Sequence, residues 1–123
     1  MTTPFSFLRR NIMIIYNITW QNDSKHVVGK DPSSISYTIF DNLMVSKVED
    51  YGSRKKKSIF TLKNSHLKKI TRAITTPEQM SNVLDGSHYD IAIYKNDVID
   101  KVMGCVCSSE MYKVISKILS KYD

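Results

Sequence analysis

The sequence predicts an α+β fold: a mainly antiparallel β-sheet or partly open barrel carrying a C-terminal amphipathic helix. Three observations predict it. Ile12, Ile14, Tyr16, Ile18 and Trp20 recur at every second position, which puts five large apolar side chains on one face of an extended segment. Tyr89, Ile91 and Ile93 alternate with Asp90, Ala92 and Tyr94, and Lys95-Asn96-Asp97 separates them from a second apolar run, the pattern of a hairpin. From Ser109 onward the period changes to that of a helix, with Met111, Val114, Ile115, Ile118 and Leu119 on one face and Lys113, Lys117 and Lys121 outside it.

Taken in order, Asn11–Trp20 reads as the first strand, and the Asn, Asp, Ser, Gly and Pro residues of Gln21–Ser34 read as a connection. Ile35–Val48 reads as two strands joined by a turn at Asp41-Asn42. Asp50 and Gly52 interrupt that pattern, and Lys57–Lys63 resumes it as the second arm of a basic hairpin, with Phe60 and Leu62 facing opposite to Ile59 and Thr61. Ser65–Ile74 fits two templates. Leu67, Ile70 and Ile74 have helical spacing with Ser65 as a cap, while Ile70, Thr71 and Ile74 suit a strand. Thr76-Pro77-Glu78-Gln79 is a helix start, with Thr76 as cap and Pro77 needing no partner for its missing N–H, and that helix ends at Gly86.

A chain of 123 residues is long enough to bury one core and too short for two, so residues 1–123 read as one domain. The longest aliphatic run, Ile12 to Ile15, is far below the roughly 20 apolar residues of a membrane-spanning helix. Cys105 and Cys107 form a C-x-C pair that matches neither a redox pair nor a zinc knuckle, and two thiols kept reduced suit a cytoplasmic protein.

The net charge of +6 is unevenly spread. Arg54, Lys55, Lys56, Lys57, Lys63, Lys68, Lys69 and Arg72 fall within 19 consecutive positions that hold no acid, while the remaining ten basic residues are outnumbered by the chain's twelve acids. A concentration of one sign favours an anionic partner, so these eight residues are the candidate anion-binding site, the alternative being a solvated, solubilising run.

Catalytic signatures are missing. There is no nucleophile elbow, zinc-protease helix, P-loop or dinucleotide-binding glycine pattern, and four scattered glycines cannot build a phosphate-cradling loop of the usual type. His26, His66 and His88 fall in separate predicted loops and read as exposed or capping residues rather than zinc ligands of Cys105 or Cys107. The Val, Met and Gly neighbours of the cysteines offer no base to activate a thiolate, and Asp97 and Asp100 read as solvated turn acids. Neither an enzyme nor a cofactor is expected.

Lys55-Lys56-Lys57-Ser58-Ile59-Phe60-Thr61-Leu62-Lys63-Asn64 resembles the second strand of a pleckstrin-homology domain. Tyr89–Cys107 resembles that family's last hairpin, and the segment opening at Ser108-Ser109-Glu110-Met111 and running through Tyr122 resembles its closing helix. The resemblance spans Leu43–Tyr122 and departs from the family twice: Val114 stands where a tryptophan is usual, and Ile74–Gly86 reads as a helix where strands are expected. It implies a partly open barrel plugged by the C-terminal helix, with Arg54, Lys55, Lys56, Lys57 and Lys63 as charge-assisted donors to phosphate from the loop before Lys57.

The function expected from all this is a binding or adaptor module that docks an anionic surface, either a phosphoinositide membrane or an acidic protein. Two further expectations stand beside it. One is nucleic-acid binding, by two helices at Ser65–Ile74 and Pro77–Asp85 or by bases stacking on Phe60 and Tyr51. The other is a scaffold subunit of a homo- or hetero-oligomer whose apolar face, such as the edge of the Asn11–Trp20 strand, completes the assembly.

Overall fold

The computed structural model describes residues 12–22, 31–75, 87–106 and 109–122. The predicted Thr76–Gly86 helix, and with it the second helix of the two-helix nucleic-acid reading, lies outside these residues, as do His26 and Cys107. Six strands form one antiparallel sheet: β1 Ile14–Gln21, β2 Ser34–Phe40, β3 Met44–Asp50, β4 Lys55–Thr61, β5 His88–Lys95 and β6 Val98–Val106. Among the described residues two helices accompany the sheet, α1 Asn64–Thr75 and α2 Glu110–Leu119, the latter running into a 3-10 turn at Ser120–Tyr122.

The spatial order is β4-β3-β2-β1-β5-β6, with β4 and β6 at opposite edges. The sheet is therefore open, and of the two expected architectures the barrel is not the one formed. β1 pairs with β2 on one side and β5 on the other, so the first strand has no edge to offer a second chain. The strand expected to offer an edge is therefore internal over Tyr16–Gln21, where both of its ladders are used inside the sheet.

Alternation explains why one face is buried. Tyr16 and Ile18 of β1, Tyr37 and Ile39 of β2, Val45 of β3, and Tyr89 and Ile91 of β5 all point to the helical side, where they meet Ile70 and Ile74 of α1 and Met111, Ile115, Ile118 and Leu119 of α2. The turns follow local chemistry. Asn96 and Asp97 both adopt positive φ (53° and 65°), the conformation of a two-residue hairpin loop that suits Asn and Asp. Asp97 also accepts a 3.1 Å bond from the Ile14 amide, tying this hairpin to β1. Between β3 and β4, Gly52 sits at φ 86° and donates its amide to Oδ1 of Asp50 at 2.8 Å.

The ambiguous segment is a helix, α1, and burial of Ile70 and Ile74 against the sheet decides it. Ser65 is not its cap: the amides of His66 and Leu67 bond the Lys63 carbonyl, and Ser65 lies inside the first turn. In α2 the expected start holds. Ser109 accepts a 3.1 Å bond from the Tyr112 amide as N-cap. Among the described residues no helix is long and apolar enough to cross a membrane.

Candidate functional site

The eight cations of the basic segment do not form one patch. Lys55, Lys56 and Lys57 open β4, a seven-residue strand that at about 3.3 Å per residue spans about 20 Å from Lys55 to Thr61 and so sets Lys63 beyond its far end. At the strand's start the charges have acidic company: Lys55 is paired across the ladder with Asp50 and Lys56 with Glu49. Glu49 also accepts a 2.5 Å bond from the Tyr51 hydroxyl and lies 3.4 Å from Nζ of the buried Lys47. The Tyr51 bond is the main reason that the Glu49 carboxyl is held below its ordinary range, with Lys47 and Lys56 adding to it. Arg54 rests over the Tyr51 ring, 4.7 Å from its centroid. Tyr51 is thus occupied by its own neighbours, and Phe60 is half-buried and stacked on Tyr122; neither ring is an open platform for a base.

Lys63, Lys68, Lys69 and Arg72 belong to a different surface. Helical spacing buries His66, Ile70 and Ile74 and leaves Lys68, Lys69 and Arg72 exposed on the outer side of α1, a helix that contains no acid. α1 packs beside α2, whose outer side exposes Lys113 and Lys117, followed by Lys121 in the terminal turn. The sequence segment 54–72 missed these three because they come from the other end of the chain. Their signal was present as a lysine stripe at i, i+4 and i+8, which the amphipathic pattern alone assigns to solvent. Among the described residues no carboxylate lies within ion-pairing distance of Lys63, Lys68, Lys69, Lys113, Lys117 or Lys121, and Glu110 is the only acid in α2.

His66 records how these charges converge. It was expected in a loop and is instead buried on the inner side of α1, its Nδ1 2.6 Å from the Tyr122 hydroxyl. Burial is the largest cause that holds its imidazole below the usual histidine range, and Lys121, Lys63 and Lys69 push it further down. Lys63 immediately precedes α1 and Lys69 lies on it, while Lys121 comes from the turn after α2, so two segments far apart in sequence raise the positive potential at one point.

A cleft of about 400 Å³ opens on the other flank of α2, between that helix and one end of the sheet. Trp20, Tyr37, Tyr89 and Tyr112 line it, with Ser116 and Asp31 among its polar groups. Trp20 donates Nε1–H to the Tyr112 hydroxyl at 3.0 Å, and the rings of Tyr89 and Tyr112 lie 4.7 Å apart. Burial pushes the Tyr89 phenol well above its ordinary value, with a Ser116 hydrogen bond opposing it. Sequence pattern placed Trp20, Tyr37 and Tyr89 on strands; that they meet Tyr112 of α2 is a tertiary fact.

The remaining sequence candidates are scattered. Cys105 is a buried thiol of β6 facing the core. His88 is the first residue of β5, its Nε2 3.7 Å from Asp90, not a loop residue. Among the described residues no three His, Cys, Asp or Glu side chains come together as a metal-ligand set.

Compared with known proteins, the chain matches no family model, no curated protein and no solved structure.

Proposed function

We propose that this protein is a non-enzymatic binding module whose helical layer docks an anionic surface, with a phosphoinositide-bearing membrane as the first partner. The observation that carries the reading is the convergence of Lys63, Lys69 and Lys121 around His66, with no carboxylate in ion-pairing distance of them among the described residues. Uncompensated charge on one face focuses a field, whereas the cations at the start of β4 have Glu49 and Asp50 beside them. The anion contacts are therefore Lys63, Lys68, Lys69, Lys113, Lys117 and Lys121, and Arg54, Lys55, Lys56 and Lys57 contribute only long-range attraction. The likeness to a pleckstrin-homology domain is kept as a basic antiparallel meander followed by a C-terminal helix, with the contacts moved from the loop before Lys57 to the helices. On this reading the protein is cytoplasmic and associates with the membrane peripherally.

A second reading, single-stranded nucleic acid, is favoured by one feature. The cleft that holds Trp20 and Tyr112 lies next to the lysine stripe of α2, so a base stacking in it would set its phosphates near Lys113 and Lys117.

The test is cosedimentation with vesicles that contain or lack phosphoinositide, beside a titration with a short mixed-sequence single strand. Two variants are compared: Lys68→Glu/Lys69→Glu/Lys121→Glu on the helices and Lys55→Glu/Lys56→Glu/Lys57→Glu on β4. The membrane reading expects salt-sensitive vesicle binding that the helical variant loses and the strand variant largely keeps. Binding to the single strand alone selects the second reading, and loss of vesicle binding only in the strand variant overturns the helical site.

A further inference from the structure

The two edges of the sheet are unlike. β4 presents Lys55, Lys56 and Lys57 in succession, and pairing it with a second copy of itself would bring like charges together, the usual protection of an exposed edge. β6 has a strand on one side only among the described residues. Its first half carries Asp100, Lys101 and the bulge marked by the shift from the Ile93–Lys101 pair to the Tyr94–Ile99 pair. Beyond the bulge, Val102-Met103-Gly104-Cys105-Val106 is regular and contains neither a charge nor a proline. Val102 is 64% exposed there, on the side of the sheet that α1 and α2, the helices among the described residues, leave bare.

Gly104 stands in the middle of this uncharged stretch, and the fold does not require a glycine at that point. Its φ is not in the left-handed region, and a Cβ built on it would meet only the Tyr89 carbonyl at 3.7 Å and Asp90 Oδ1 at 3.8 Å, ordinary contacts. A glycine inside a strand weakens it, and it is found where another backbone comes close.

We propose that two copies of this chain associate by antiparallel pairing of β6 with β6, with Gly104 near the two-fold axis, extending the six-stranded sheet across both molecules. In this register Val102 lies opposite Val106 of the second copy on the bare face, and Met103 lies opposite Cys105 on the helical face. Asp100 and Lys101 fall outside the paired stretch, so no like charges oppose each other. Centring the pair on Asp100 or Lys101 would instead set two identical charges face to face, which rules those registers out.

Sedimentation velocity of the full chain over a wide dilution series tests this. The wild type is expected to shift reversibly from monomer to dimer as concentration rises. Gly104→Lys places two ammonium groups at the axis, and Val102→Lys sets one against Val106; each should weaken the dimer by at least about tenfold. Ile59→Lys, at a 67% exposed position on the same bare face but on β4, should leave dimerisation within about twofold of wild type. Far-UV circular dichroism confirms that each variant is folded. A wild type that stays monomeric at every concentration overturns the proposal. So does a dimer that Ile59→Lys disrupts as strongly as Gly104→Lys, because association would then run through the bare face and not the edge.

Discussion

Tyr122 and His66 are joined by a 2.6 Å bond between the phenol oxygen and Nδ1, and the same oxygen accepts the Lys63 amide at 2.8 Å. The phenol oxygen thus serves two groups at once, accepting from the Lys63 amide and hydrogen-bonding Nδ1 of His66. Phe60 stacks on the Tyr122 ring at 4.7 Å with the planes 17° apart. One side chain near the chain's end thereby links β4, the start of α1 and the turn after α2.

Removing only the hydroxyl separates these roles. Tyr122→Phe keeps the stack on Phe60 and strands the Lys63 amide and His66 Nδ1, at a cost of about 1–2 kcal/mol in urea unfolding. Tyr122→Ala should cost clearly more, since it also removes the ring. A Tyr122→Phe variant as stable as wild type would mean that the bonds contribute nothing beyond what water replaces, and equal losses in the two variants would mean that the ring contributes nothing.

Stability should fall on acidification through the histidine range, and His66 sets the sign. Its folded-state value lies below the ordinary one near 6.5, so the unfolded chain takes up a proton first. The contribution is present in full above the ordinary value and is lost as the pH drops toward the folded one. Urea midpoints measured from about pH 7.5 to pH 5 should decline, and His66→Gln should flatten that decline. A slope unchanged by His66→Gln would assign the acid sensitivity to other groups.

Anion docking should move the same histidine in the opposite direction. Lys121, Lys63 and Lys69 depress His66, so an anion bound over them relieves that repulsion and raises its midpoint. By linkage, docking then tightens as pH falls through the His66 titration. Following the His66 ring proton by NMR, with and without a soluble inositol polyphosphate, reads this shift; a midpoint that stays put while the ligand binds would locate the contact elsewhere.

Exposure, not residue type, should decide the cost of losing an isoleucine. Ile115→Ala, at a position of zero exposure between α2 and the sheet, should cost about 2–5 kcal/mol, while Ile59→Ala on the bare face should stay within about 0.5 kcal/mol. Ser109→Ala removes the cap of α2 and should cost about 1 kcal/mol, so its ranking between the two isoleucines checks the helix boundary as well.

Strands, turns and helical faces were legible from the sequence because they depend on neighbours a few positions apart. The period-two run around Tyr16 and Ile18, the Asn96-Asp97 turn and the Met111-Ile115-Ile118 stripe each carry their own geometry, and together they determined the antiparallel α+β class. Ser65–Ile74 was not decided locally, because its pattern serves a helix and a strand alike; burial of Ile70 and Ile74 against the sheet chose the helix. Only the tertiary structure could decide which strands are edges, since β1 lies at the centre through pairing with β5 more than 60 positions away. The same holds for charge. Sequence proximity joined Arg54 and Arg72 into one basic run, while Coulomb interaction depends on distance in space, which divides that run between a strand edge and a helical face and adds Lys113, Lys117 and Lys121 to the latter.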